Sequence, residues 1–252
     1  MYLMTFGCSW TFGIGAAWEP GMSKDELEKL LFEDESRNAS FRTLISKQLN
    51  LENVNFGIGG SSNHYQFRSA REWFTKSENI ERIKDNGAIV LWGITSIYRN
   101  EAYDPLTKQY KNFLYHVDHP GTLGDINKFF FKYLHDDDNE IKTLTENMLL
   151  WNRIFSSLHI PVIYFDTFNK HTYNRDIPNL IRPDDILTML LSQEGISVED
   201  DEYHTSAWKI DSEKIRLAVE HELVNPYSNH PTRHTHEKIA NLLIPYIEKK
   251  LK

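Results

Sequence analysis

Tyr2-Leu3-Met4-Thr5-Phe6, followed at once by Gly7-Cys8-Ser9-Trp10-Thr11-Phe12-Gly13, is the stretch on which the fold turns. The apolar run is too short for an ordinary helix and long enough for a buried strand. A small residue, a serine and glycines at its end allow a tight turn that presents the serine hydroxyl. If a helix follows, the N–H groups around Ser9 also favour negative charge there. Taken alone, the pattern is equally ordinary turn chemistry.

Runs of the same kind recur at Ala88–Trp92 (AIVLW) and Ile160–Phe165 (IPVIYF), with a weaker one at Val54–Phe56. Pro161 is expected at its strand's start, where the missing N–H does little harm. Segments of helical period lie between and after these runs. Ser40–Leu49 carries Phe41, Leu44, Ile45 and Leu49 on one face, and Tyr65–Phe74 repeats the spacing. Ile141–Leu158 gives a long amphipathic stripe through Leu144, Met148, Trp151, Phe155 and Leu158. A last helix is predicted over Thr235–Lys250.

Strands alternating with helices imply parallel pairing, because a right-handed crossover needs a connection of helix length. The expected fold is therefore α/β: a doubly wound parallel sheet in a three-layer α/β/α arrangement, flavodoxin-like in type. Such folds bind ligands at the carboxyl ends of their strands, so the polar residues just after each run are where chemistry is expected. A single domain spanning residues 1–252 is the expectation. Two aromatic-rich stretches break the pattern and are expected as long loop insertions: Tyr98–Asp138, with Pro105, Pro120, Gly121 and the acidic Asp136–Asp138, and Asn169–Lys209, with the acidic Glu199–Glu202.

Apolar residues make up 40% of the 252 and charged ones 25%, which supports a packed core and argues against disorder. The net charge of −8, from 36 acidic and 28 basic side chains, disfavours a nucleic-acid partner, which is held largely by Lys and Arg. One cysteine, Cys8, permits no internal disulfide. No signal peptide and no membrane-spanning run of about 18 apolar residues is read. A cytoplasmic location is expected, with a virion component the alternative. The sequence carries no signature of an oligomeric state.

A second glycine-rich block, Asn55-Phe56-Gly57-Ile58-Gly59-Gly60-Ser61-Ser62-Asn63, lets backbone N–H groups approach a ligand closely. Its G-x-G-G spacing lacks the further glycine of the dinucleotide fingerprint, so no nucleotide cofactor is expected. Near the carboxyl end stands His230-Pro231-Thr232-Arg233-His234-Thr235-His236, just before the last helix. Histidine changes charge near neutral pH, and a serine hydroxyl needs such a partner to become a nucleophile.

Taken in order, these blocks resemble the SGNH hydrolases, also called GDSL lipases or esterases. F-G-C-S-W-T-F-G is similar to their first block, G-D-S-x-T-x-G; N-F-G-I-G-G to the second, N-x-G-x-x-G; and H-P-T-R-H-T-H-E-K-I-A to the last. W-G-I-T-S, after the AIVLW strand, lies where that family has G-x-N-D. The resemblance implies a nucleophile at Ser9, a base at His230, and an oxyanion hole at Gly60 and Thr95. The first two blocks also resemble those of SGNH-like proteins of phages.

Three departures stand out. Cys8 replaces the Asp of the first block, and Thr95 the Asn that helps hold the oxyanion; losing such a donor typically costs about a hundredfold in rate. The Asp expected two or three residues before the histidine is absent, with Ser228 and Tyr227 in those positions.

The resemblance implies acyl transfer from a small-molecule or glycan ester, most simply hydrolysis that removes a small acyl group such as acetyl. Two alternatives use the same frame: an O-acyltransferase, and a catalytically degenerate glycan-binding or structural protein. A metal site among His221, Glu222, His230, His234 and His236 is the rival outside it, but H-x3-H-x-H is no established zinc spacing, and no metal is expected. Cys8 is the rival nucleophile at the same turn.

Overall fold

A computed structural model describes residues 1–31, 33–104, 107–114, 122–182, 184–198 and 213–252. Strand β1 (Tyr2–Phe6) leads into the short helix α1 (Ser9–Phe12), and then come α2 (Lys24–Leu30), α3 (Asp34–Ala39) and α4 (Phe41–Leu49). Strand β2 (Glu52–Asn55) follows, with α5 (Asn63–Phe74), α6 (Ser77–Asn86) and β3 (Ala88–Ile94). A hairpin of β4 (Arg99–Asp104) and β5 (Gln109–Leu114) precedes α7 (Thr122–Tyr133) and the long α8 (Asp137–Ser157). The chain ends with β6 (Val162–Asp166), α9 (Ile186–Gln193), α10 (Glu213–Glu220) and α11 (Arg233–Leu251).

The main sheet has the order β2-β1-β3-β6, and each of its pairings is parallel. Period-2 alternation divides its side chains between two cores. Leu3, Ile89, Leu91, Ile163 and Phe165 point to one face and pack with residues of α4, α9, α10 and α11. Met4, Phe6, Val90, Trp92, Ile94, Val162 and Tyr164 point to the other and pack with α5, α6 and α8. This is the doubly wound three-layer α/β/α arrangement. The ring of Phe6 stacks between Phe56 at 4.6 Å and Trp92 at 4.5 Å, and the Trp92 indole donates to Gln66 Oε1 at 2.6 Å. Among the described residues no helix is long and apolar enough to cross a membrane.

The expected elements are found with shifted ends. Pro161 lies just before β6, and β3 extends past Trp92 to Ile94. The loop reading needs correction. Residues 98–138 hold the β4–β5 hairpin, α7 and the start of α8, and residues 169–209 include α9. The hairpin's polar strands gave no apolar alternation to read. It is tied to α5 by Arg68, whose Nε and Nη2 donate to the two carboxylate oxygens of Glu101 at 3.0 and 2.8 Å. The paired, fork-like geometry fixes orientation as well as position. Pro105, Pro120, Gly121 and the acidic run Glu199–Glu202 lie outside the described residues.

Candidate active site

The carboxyl edge of the sheet collects the residues singled out above. Beyond β1 the chain turns at Gly7, where a Cβ would lie 2.0 Å from Thr11 Oγ1, so no side chain fits. Ser9 then opens α1 and is buried; its Oγ makes no hydrogen bond among the described residues. Next to it, beyond β2, Asn55 Oδ1 accepts from the Gly57 N–H at 3.0 Å and its Nδ2 donates to Gly57 O at 3.1 Å, which shapes the start of the glycine loop. Gly60 has a left-handed φ of 71° with no atom within 4 Å of a notional Cβ, so the loop faces open space there. Ser61 Oγ donates to Gly7 O at 2.9 Å, joining the first and second blocks.

Beyond β3, Thr95 is held through its backbone. Its N–H donates to Asn63 Oδ1 at 3.0 Å, and Asn63 Nδ2 donates to Thr95 O at 2.8 Å. The Thr95 hydroxyl is buried and, like that of Ser9, makes no hydrogen bond among the described residues. Buried polar groups are usually paired, and the hydroxyls of Thr11, beside Ser9, and Thr167, just beyond β6, likewise make no hydrogen bond among the described residues.

His230 reaches this edge from the far end of the chain. Its loop is pinned by Asn225 N–H, which donates to His230 O at 2.8 Å, and by Thr232, which caps α11. The histidine packs directly on Gly15, where a Cβ would come within 2.8 Å of His230 Cβ; Gly15 also has a φ of 86°. In place of the missing Asp, Ser228 Oγ lies 3.0 Å from His230 Nδ1. Burial pushes the His230 imidazole down to about 3, and the nearby Arg99 adds to the effect.

Arg99 also stands at this edge, and the sequence did not reveal it. From the first position of β4 it reaches into the edge of the sheet and is 2% exposed. Its guanidinium lies over the Phe168 ring at 5.2 Å, and its Nη1 donates to Ser61 O at 3.5 Å. It also interacts with Cys8, and burial lowers its own pKa. A buried arginine inside a polar stretch carries no sequence signal of its position.

A second unpredicted cluster stands at the end of β6. Asp166 Oδ1 lies 2.9 Å from His171 Nδ1 and accepts from Tyr173 Oη at 2.6 Å, while Oδ2 accepts from the His171 N–H at 3.1 Å. Burial, then Asp166, raises the Tyr173 phenol. The remaining histidines of the last block do not converge. His236 is buried, with Nδ1 accepting from the Phe41 N–H at 3.2 Å, whereas the His234 side chain is 71% exposed. Among the described residues no group of three or more His, Cys, Asp or Glu is placed to hold a metal ion.

No family model matches the chain, and no curated protein matches it. Among solved structures it is similar to an acetyl xylan esterase from the rumen bacterium Butyrivibrio proteoclasticus, at 12% identity and a TM-score of 0.49, with 100% of this chain and 65% of that one covered. It is also similar to a G-D-S-L family protein from Desulfitobacterium hafniense, at 10% identity and a TM-score of 0.32, with 99% and 98% covered. The chain thus spans 65% of the length of the esterase it matches. The parallel sheet flanked by helices on both faces is the α/β arrangement expected from the sequence.

Proposed function

We propose that the chain is a serine ester hydrolase of the SGNH type that removes a small acyl group, such as acetyl, from a carbohydrate or other small ester. Ser9 Oγ attacks the ester carbonyl while His230 takes its proton. The N–H groups of Ser9 and Gly60, with the Thr95 hydroxyl, receive the oxyanion. Its collapse breaks the ester C–O bond, and the leaving alcohol takes the proton from His230. Water, deprotonated by His230, then releases the acyl group as the acid and restores Ser9. The observation that carries this reading is the pair of buried hydroxyls without hydrogen bonds, Ser9 Oγ and Thr95 Oγ1, beyond the adjacent strands β1 and β3. A bound ester offers the Thr95 hydroxyl an acceptor in its carbonyl oxygen and sets its carbonyl carbon against Ser9 Oγ, whose proton passes to His230.

The test is hydrolysis of short-chain aryl esters and acetylated sugars by the wild type, Ser9→Ala and His230→Ala. Loss of turnover in both variants, with unchanged circular dichroism, is the expected result. A wild type inert across chain lengths sinks the proposal.

One observation favours a second reading, an ester- or glycan-binding domain without turnover. His230 has a neutral hydroxyl where the family has an Asp, and Arg99 opposes its protonation. On that reading the wild type binds the same ligands, shown by calorimetry, and hydrolyses none.

A further inference from the structure

The loop that carries His230 contains its own proton accounting. Asn225 Oδ1 accepts the N–H groups of Tyr227 and Ser228 at 3.2 and 2.9 Å and lies 3.0 Å from Ser228 Oγ. Asn225 Nδ2 donates to His230 O at 2.9 Å. These partners fix which way the amide points. Flipped, its oxygen would face a carbonyl oxygen and its NH2 would face two N–H donors.

Ser228 Oγ therefore stands between two ring- and amide-borne atoms, Asn225 Oδ1 and His230 Nδ1, each at 3.0 Å. A hydroxyl has one proton to give. Asn225 Oδ1 only accepts, so the Ser228 proton is spent there, and Ser228 Oγ is left as an acceptor toward the imidazole. Its contact with His230 is then a hydrogen bond only when Nδ1 carries the proton. In the opposite tautomer, two acceptors would face each other at that distance in a buried site, which is costly.

We propose that Ser228 and Asn225 are positioning residues: a neutral relay that holds His230 in its Nδ1–H tautomer and so makes Nε2 its basic atom. The inference rests on the reading of His230 as the base and names what replaces the missing acid. The relay does the orienting work of a carboxylate without contributing its charge. An imidazole held this way is aimed without a neighbouring negative charge; burial and Arg99 lower its pKa, and the Ser228 backbone bond opposes them.

The test reads the tautomer directly. Long-range proton–nitrogen correlation spectra of 15N-histidine-labelled protein are recorded for the wild type, Ser228→Ala and Ser228→Thr, with the His230 signals assigned by their loss in His230→Gln. A protonated, pyrrole-like Nδ1 is expected in the wild type and in Ser228→Thr, which keeps the hydroxyl. Ser228→Ala removes the hydroxyl but keeps the Ser228 backbone that also bonds the ring. It is expected to weaken that preference, and ester turnover to fall about tenfold in kcat with KM little changed. A pyridine-like Nδ1 in the wild type, or an unaltered Nδ1–H signal in Ser228→Ala, overturns the relay. A wild type that shows the Nδ1–H signal but turns over no ester overturns the esterase reading and leaves the relay standing.

Discussion

Asn63 and Thr95 form a closed ring of two hydrogen bonds, the side-chain amide of one against the backbone N–H and C=O of the other, at 3.0 and 2.8 Å. Asn63 begins α5 and Thr95 follows β3, so the ring locks the glycine loop to the strand beside it. Both residues are buried, and neither bond is open to replacement by water. Asn63→Ala is accordingly expected to cost about 2–4 kcal/mol, because it leaves a buried N–H and C=O unpaired. Urea denaturation at neutral pH measures this. A loss under about 0.5 kcal/mol would show that the ring does not hold the loop.

Ser9→Ala is expected to behave in the opposite sense. The Ser9 hydroxyl is buried and makes no hydrogen bond among the described residues. Removing it takes away a desolvation cost and no bond, so stability should be unchanged or rise by up to about 1 kcal/mol while turnover disappears. A clear fall in the urea midpoint would mean that the hydroxyl is bonded in solution.

Acid should destabilise the protein as pH falls below about 6.5. Burial holds both His230 and His236 at about 3, against an ordinary histidine value of 6.5. Between those values the unfolded chain binds more protons than the folded one. The contribution is fully present above pH 6.5 and is lost as pH falls toward 3, at about 1.4 kcal/mol per pH unit for each histidine. His236→Gln, which keeps an acceptor for the Phe41 N–H, should flatten this decline. Unfolding free energies at a series of pH values from 7 to 4 check it, and equal slopes in the two proteins would refute it.

Replacing Arg99 by Met should raise the His230 pKa. The guanidinium is the second cause of the depression, after burial, so the value should move up from about 3 yet stay below 6.5. Met retains much of the side chain's bulk over Phe168 without its charge. Titration of the His230 ring signals by NMR reads the shift, and a pKa that stays put removes Arg99 from the electrostatics of the site.

The parts that could be read from sequence are those where one physical period dominates. Ile89, Leu91 and their neighbours form an unbroken apolar run, because a central parallel strand is covered on both faces. Likewise Leu144, Met148, Trp151 and Phe155 trace one face of α8. The hairpin was missed for the converse reason. Its strands, Arg99–Asp104 and Gln109–Leu114, are mostly polar, and their pairing with each other and the Arg68–Glu101 bridge are long-range facts. Ser9, Gly60, Thr95 and His230 are proposed for the site because ordered short blocks resemble a family. Arg99 and the Asp166–His171–Tyr173 cluster have no such block, and only the folded chain brings them to the strand ends.

The alternation of the sheet's side chains has a consequence for how this protein tolerates change. Leu91 and Trp92 are neighbours in the chain, but one packs toward α4, α9 and α11 and the other toward α5 and α8. The sheet is a partition between two rooms that share a wall and no furniture. Substitutions at Leu91 must be matched from one helical layer and those at Trp92 from the other. The two layers are coupled through the shared strand backbone alone, so side-chain changes that leave it in place are absorbed by one layer at a time.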